Sequence, residues 1–423
     1  GVLLGQGFSS ELERWPSRVP ATSCGRLYPK IRIRIWTMIR YLTTPRRGFA
    51  LLALLGASLP AMAQDKPTID LTLDGYFTQS VNLVDVDTKG GASFEDEVLA
   101  QEGEIHFKAK TILPSGTEIG VRVELEAEGA TDDLIDEHYL YLKGDWGKVI
   151  LGAENGVGHL MQVRAPRFVP GLKMFDNSVT EEIIEDAYDL QLGSDVIEDA
   201  HMSTKLEHIS GDANKFSYLT PKVGGLQVGV SFTPNNRDRN GGENNVATSY
   251  PGDGSHRLQE DIIEMAFRFT GSYRGFGYRL SHSNVSSDTL LGTLDPESNS
   301  TGLQVYWDDW VFGANLSEYE NLQALPDDKY SGSANIETLN YALKYKQGDR
   351  YWGIGFTQSE ESTVASSGDR TDYEEIMIGG GRKLMKGVEF GYYYQMTEAE
   401  LTTANAKNTA ETETLGLTLA LAF

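Results

Sequence analysis

The chain ends on "ETLGLTLALAF", residues 413 to 423, and this stretch constrains the fold more than any other. Leu415, Leu417, Leu419, Leu421 and Phe423 take the odd positions, and Thr414, Gly416, Thr418, Ala420 and Ala422 take the even ones. A period of two is a strand period, because successive side chains point to opposite faces of a sheet. A strand with one oily face needs an oily neighbour, either a second sheet or lipid. The chain holds 45 Gly, 20 Tyr, 16 Phe and 6 Trp, with a mean hydropathy of −0.34. A membrane barrel is oily on alternate residues only, so a low mean hydropathy is compatible with membrane residence. No apolar run reaches the roughly 18 residues of a spanning helix.

Alternation recurs throughout. "GEIHFKAKTIL" (103 to 113) sets Ile105, Phe107 and Ala109 against His106, Lys108 and Lys110. "IGVRVELEA" (119 to 127) sets Val121, Val123 and Leu125 against Arg122, Glu124 and Glu126. Charges on the second face of consecutive strands indicate a wet side, not a dry sandwich core. Further alternating segments begin at residues 69, 227, 265, 275, 339, 351 and 388. Tight turns at 114–117, 144–147, 221–225, 272–275, 308–309, 347–350 and 385–387 alternate with long polar connections. With a single strand in 201–220, the reading is all-β: a transmembrane 16-stranded antiparallel barrel. An even number of strands returns both termini to the same rim. Aromatics near the short turns, such as Trp146, Trp307 and Trp310, read as an interface girdle.

The first residues carry a different signal. From Met38, the basic Arg40, Arg46 and Arg47 precede the apolar stretch Phe49 to Leu59, and Ala61-Met62-Ala63 is a small-x-small cleavage site. That is the order of a secretory signal peptide, placed at 38–63. Residues 1–37, which begin with Gly, are expected to be a mis-called upstream extension, and 64–423 the barrel. Residues 1–63 hold 9 of the 37 Lys and Arg and 2 of the 61 Asp and Glu, which leaves 28 basic and 59 acidic residues from 64 onward, a net charge of −31. Such a surface repels phosphates, so nucleic acid is not an expected partner. Cys24, the one cysteine, precedes the cleavage site, and the exported chain has no disulfide framework.

Sites for chemistry are not evident. The seven His show no His-x-x-x-His spacing, and the chain has neither a G-x-S-x-G elbow nor a phosphate-cradling loop. "DVDTKGGASFED" (85 to 96) places Asp85, Asp87, Gly90 and Asp96 as in a calcium loop, but Lys89 stands at a ligand position. The expectation is no enzyme, no metal site and no cofactor, with at most loose Ca²⁺ or Mg²⁺ on acidic loops.

Three stretches give the chain a family resemblance. "YLYLKGDWGKVILG" (139 to 152), "FSYLTPKVGGLQVGVSF" (216 to 232) and the terminal "LGLTLALAF" resemble the general bacterial porins, the sixteen-stranded trimers of the Gram-negative outer membrane. The resemblance implies a homotrimer of water-filled barrels, in contact with lipid and lipopolysaccharide, passing ions and small hydrophilic solutes. It implies that the outer-membrane assembly machinery reads Leu415, Leu417, Leu419, Leu421 and Phe423. It also implies a long third loop, here about 155–200, folded inward as a constriction. In that loop Asp176, Glu181, Glu182, Glu185, Asp186 and Asp189 would form an acidic lip, with Glu181 and Glu185, and Glu182 and Asp186, at helical spacing. The opposing basic wall would draw on Lys108, Lys110, Arg122, Arg268, Arg279, Lys344 and Arg382, picked by parity. Asp136, Ala153 and Ser217 stand where the family often carries Arg, so the expected pore prefers cations. A substrate-specific channel and a structural barrel with a plugged lumen stay open as alternatives.

Overall fold

The computed structural model describes residues 68–86, 97–127, 135–172, 178–192, 199–236, 259–289, 294–323, 333–363 and 369–423. The expected leader and extension lie outside them, as does Asp176. Pro67 to Phe423 is one compact unit. Its strands are β1 (Asp70–Val86), β2 (Glu97–Ile112), β3 (Glu118–Glu126), β4 (His138–Gly144), β5 (Gly147–Ala153), β6 (Asn214–Leu219), β7 (Leu226–Asn235) and β8 (Gln259–Tyr273). They continue as β9 (Phe276–Thr289), β10 (Glu297–Trp307), β11 (Trp310–Gln323), β12 (Ser333–Gln347), β13 (Arg350–Thr363), β14 (Arg370–Met385), β15 (Val388–Thr402) and β16 (Lys407–Ala422). Each pairs antiparallel with its neighbours in sequence, and β16 closes on β1. The segment 201–220 holds one strand, β6. Among the described residues no helix is long and apolar enough to cross a membrane.

The alternation sets the two faces. In β16, Leu415, Leu417, Leu419 and Leu421 are exposed on the outside, while Thr414, Gly416 and Thr418 are buried inside. The interior is polar: Ser217 Oγ meets Ser231 Oγ at 2.7 Å, Thr338 meets Ser359 at 2.9 Å and Thr397 meets Thr412 at 2.7 Å, each across a strand pair. This polar-in, apolar-out order is that of a membrane barrel. The last residue extends the seam, because the Phe423 N–H donates to the Gly75 carbonyl at 3.1 Å and the Gly75 N–H returns the bond at 3.2 Å. Closure leaves no unpaired edge for lipid to meet.

The two rims differ as the turn lengths foretell. The β8–β9 turn is two residues, Arg274 (φ 49°) and Gly275 (φ 87°), the left-handed pair that matches strand twist in a tight hairpin. On the short-turn side Phe276 stacks on Trp307 at 5.9 Å, and Tyr345 sits 4.6 Å from Trp310 and 6.1 Å from Trp352. These outward rings form one arc of an interface girdle.

Candidate functional site: a loop seated on the inner wall

The described parts of the connection from β5 to β6 lie against the inner wall of the barrel. The connection carries α1 (Val157–Leu160), α2 (Ser178–Leu192) and α3 (Asp199–Met202). From Gly156 to Gly171 the chain runs round the inner wall from β7 to β1. This run has little regular structure, so its backbone polar groups need partners from elsewhere. The wall supplies them. Val157 N–H donates to Ser231 Oγ on β7 (2.9 Å), Gly158 N–H to Glu264 Oε2 on β8 (2.8 Å) and Val163 N–H to Ser281 Oγ on β9 (2.8 Å). Gln304 on β10 donates to the Arg164 carbonyl (2.6 Å), Lys344 on β12 to that of Arg167 (2.5 Å) and Thr418 on β16 to that of Pro170 (2.6 Å).

Glycines on β10, β13 and β14 make room for this run. A Cβ on Gly302 would lie 1.8 Å from the Val163 carbonyl oxygen, one on Gly353 2.3 Å from Phe168 Cγ, and one on Gly381 2.4 Å from Pro170 Cδ. Phe168, Val169 and Leu172 are buried there with Ala342, Met377 and Tyr393.

The loop then turns back. α2 lies against β2, β15 and β16 and buries Ile183, Ile184, Ala187 and Tyr188. Tyr188 packs edge-on to Tyr373 at 6.4 Å. α3 rests on β12 and β13, where His201 meets Glu361 at 2.9 Å. Leu206 and Ile209 close the return on Ile262, Val285, Tyr319 and Ile336. The two passes thus follow the wall from β7 round through β16 to β1 and β2, and the wall of β3–β5, with the lower part of β1 and β2 around Asp74 and Lys108, bounds the rest of the lumen.

That facing wall is charged. Tyr76 Oη lies 2.9 Å from Glu102 Oε1 and 2.6 Å from Glu104 Oε1. Lys108 holds Asp74 at 2.7 and 2.8 Å, Arg122 holds Glu124 at 2.6 Å, and Lys110 pairs with Glu118 at 3.5 Å. His106 stands among Asp74, Glu104 and Glu124, and the ligand atoms of Glu104, His106 and Glu124 lie within 4.8 Å of one another. Lys148 faces the rings of Tyr139 and Tyr141 at 5.6 and 5.1 Å.

From the loop, Arg164 and Arg167 oppose this wall. Arg164 donates to Gln162 Oε1 at 2.9 Å and contacts His159 at 3.1 Å. Arg167 is reached by water but enclosed by protein; that enclosure lowers its pKa, against the pull of Glu102 and Tyr76. His159 meets Glu207 at 3.2 Å, and burial followed by the Arg164 charge lowers its pKa. Burial alone would raise Glu207, but Lys205 and the His159 hydrogen bond hold it well below the usual carboxylate range.

The residues singled out from sequence fall as follows. Asp186 and Asp189 are exposed on the face of α2 turned from the wall, and Glu185 is half-buried. Glu181 and Glu182 lie on the same helix, and their side chains are outside the described set. Lys108, Lys110, Arg122, Arg268, Arg279 and Lys344 have inward parity. Arg279 lies over the Tyr306 ring at 5.2 Å, and Arg268 reaches Gln227 at 3.2 Å. Arg382 is different: on β14 the buried side chains are Thr371, Tyr373, Glu375 and Met377, so Arg382 has outward parity and pairs with Asp349 in a short turn at 2.7 Å. Gly379, Gly380 and Gly381 carry no side chains, so the alternation cannot be phased through to residue 382. The cations of the loop, Arg164 and Arg167, were missed, although "QVRAPRF" (162 to 168) carries both.

A closed sixteen-stranded antiparallel barrel, apolar outside and polar within, defines a membrane channel. The family model of the Gram-negative porins matches residues 50–404, and the chain belongs to that family. Among solved structures it is similar to outer-membrane expressed OmpT of Vibrio cholerae (11% identity, TM-score 0.52, covering 85% of this chain and 99% of that one). It is also similar to Salmonella typhi OmpF in complex with daunomycin (16% identity, TM-score 0.51, 83% and 97%). At such identities the likeness speaks to the fold. A search of curated protein sequences gives no match. The protein is an outer-membrane porin, and family and fold point to a channel and not to an enzyme.

Proposed function

We propose that this porin is a general diffusion channel for ions and small hydrophilic solutes, with a preference for cations. The observation that carries the preference is the carboxylate excess on the wall that faces the loop. Asp74, Glu102, Glu104, Glu118, Glu124, Glu126 and Glu137 outnumber Lys108, Lys110, Arg122, Lys143 and Lys148 there. Fixed negative charge in a narrow aqueous passage concentrates cations and repels anions, an effect that salt screens. No step of the transport is chemical: solutes diffuse, and the gap between loop and wall limits their size. Reversal potentials in a KCl gradient across a planar bilayer test the preference, and a clear Cl⁻ preference would overturn it.

Assembly belongs to the same proposal. A homotrimer is supported by the family, one similar structure being the trimer form of Vibrio cholerae OmpT (10% identity, TM-score 0.50, covering 84% of this chain and 99% of that one). The apolar stripe ending at Phe423 is the signal for the outer-membrane assembly machinery. Loose Ca²⁺ or Mg²⁺ between protein and lipopolysaccharide is supported by the outer face of β11–β15. Its register sets Glu318 opposite Glu337, Glu337 opposite Glu360, Glu360 opposite Asp372 and Asp372 opposite Glu400. Like charges directly across a strand pair repel; Arg370 already bridges Glu360 and Asp372, and Lys407 pairs with Glu400, so divalent ions would act chiefly at Glu318 and Glu337.

A further inference from the structure

His106 is placed as few imidazoles are. Its Nε2 lies 2.7 Å from Glu104 Oε2 and 3.1 Å from Glu124 Oε2, and its Nδ1 lies 2.9 Å from Asp74 Oδ1. Asp74 is the nearer partner of Nδ1, with Arg122 Nη2 at 3.4 Å. The network therefore assigns the Nδ1 proton to the Asp74 bond, which leaves the Nε2 lone pair facing two carboxylate oxygens. Three electron-rich atoms pointed at one space repel; Arg122, bonded at 2.6 Å to the same Glu124 oxygen, offsets part of that repulsion, and a positive centre between the three atoms would offset the rest. A proton on Nε2 serves one of the two oxygens well. A divalent ion bonds to all three atoms.

The surroundings are those of a held ligand set. Lys108 fixes Asp74 at 2.7 and 2.8 Å, so the carboxylate that orients the imidazole is itself oriented. Tyr76 fixes the far oxygen of Glu104 at 2.6 Å, and Arg122 grips Glu124. Histidine ligands of metals commonly give their second N–H to such a carboxylate, which fixes the tautomer and raises basicity. The side chains of His106 and Glu124 are 10% and 4% exposed, so the cluster is built into the wall and does not dangle from it. Ligand atoms around a tetrahedral zinc lie about 3.3 Å apart, given bonds near 2.0 Å. The observed 2.7 and 3.1 Å open to that value by rotamer adjustments of a few tenths of an ångström.

We propose that Glu104, His106 and Glu124 bind a divalent transition-metal ion of the zinc class on the lumen wall. One imidazole nitrogen with two carboxylate oxygens suits such borderline ions, whereas Ca²⁺ and Mg²⁺ favour oxygen-only ligand sets. The ion has a direct electrical consequence. With His106 neutral, Asp74, Glu104 and Glu124 against Lys108 and Arg122 give this patch a formal charge of −1. A divalent ion makes it +1, so occupancy weakens the cation preference of the passage.

The site needs the barrel but not conduction, so binding is read separately from current. Equilibrium dialysis of the purified full-length protein against Zn²⁺ is expected to give one zinc per chain in this site, with Ca²⁺ failing to displace it. His106→Gln and, independently, Glu104→Gln are each expected to weaken that binding at least about tenfold. Asp74→Asn, which leaves all three ligand side chains in place but removes the carboxylate that orients His106 and pairs with Lys108, is expected to weaken it about 10- to 100-fold. In bilayers, Zn²⁺ is expected to lower the K⁺ to Cl⁻ permeability ratio of the wild type but not of His106→Gln. No zinc uptake by the wild type would leave a protonated imidazole only and overturn the proposal. Uptake unchanged by both His106→Gln and Glu104→Gln would overturn it as well.

Discussion

A Cβ on Gly302 would meet the carbonyl oxygen of Val163 at 1.8 Å. β10 and the inward loop therefore approach as closely as backbone atoms allow, and the loop's position is written into the wall. Gly302→Val is predicted to dislodge the loop near Val163 without opening the barrel. Overpacking of this kind costs about 1–3 kcal/mol. The β-sheet circular dichroism of the folded protein should be unchanged, while its melting temperature falls and its conductance becomes variable. A variant indistinguishable from wild type in both would show that the loop does not depend on this contact.

Arg167 places the loop's accessible positive charge against Glu102 and Tyr76. A unit charge in a water-like medium acts with about 1 kcal/mol at 4 Å, roughly a fivefold effect on an ion's local concentration. Arg167→Ala is predicted to raise the K⁺ to Cl⁻ permeability ratio about two- to fivefold in 0.1 M salt. The gain should shrink in 1 M salt, where the screening length falls to about 3 Å. Equal ratios for the two proteins at low salt would remove Arg167 from the passage.

Two carboxyl groups outside the strands tie selectivity to pH. Burial, and then Glu137, pushes Glu154 up to about 8; burial, and then Asp212, pushes Asp136 up to about 8. Both are protonated at neutral pH and ionise above it, each adding a negative charge. Cation preference is predicted to rise between pH 7 and pH 9, and Glu154→Gln with Asp136→Asn should flatten the rise. The stability term runs the other way. The folded chain keeps protons that the unfolded chain has already released, so this contribution falls as pH climbs from the ordinary carboxylate range through 8.

Phe423 forms the last two ladder bonds of the β1–β16 seam, both with Gly75. Deleting it removes these bonds and the end of the assembly stripe together. The amount of folded protein in outer-membrane fractions is predicted to fall several-fold, with unfolded chain accumulating in the periplasm. Wild-type levels would show that the terminal ring is dispensable.

Most of the barrel was legible because its wall is a local pattern. The outward Leu415, Leu417, Leu419 and Leu421 and the inward Thr414 and Thr418 can be phased from eleven residues. Phasing failed where side chains vanish, at Gly379 to Gly381, and Arg382 came out on the opposite face from the one expected. The loop was legible as long and acidic, yet which of its charges face water depends on contacts made far away in sequence. Arg167 is held through its carbonyl by Lys344, 177 residues on. The His106 cluster is hidden for a related reason. Glu124 reaches His106 by cross-strand register, which no linear metal motif encodes.

The central claim is a water-filled lumen narrowed by a loop seated on one side, and single-channel recording of the purified protein tests it most directly. The wild type is predicted to give discrete, steady current steps in a planar bilayer. Removal of residues 178–190, most of α2, is predicted to give larger steps and passage of larger solutes. A wild type that conducts no ions, or a deletion variant whose steps and size limit match the wild type, would contradict the account.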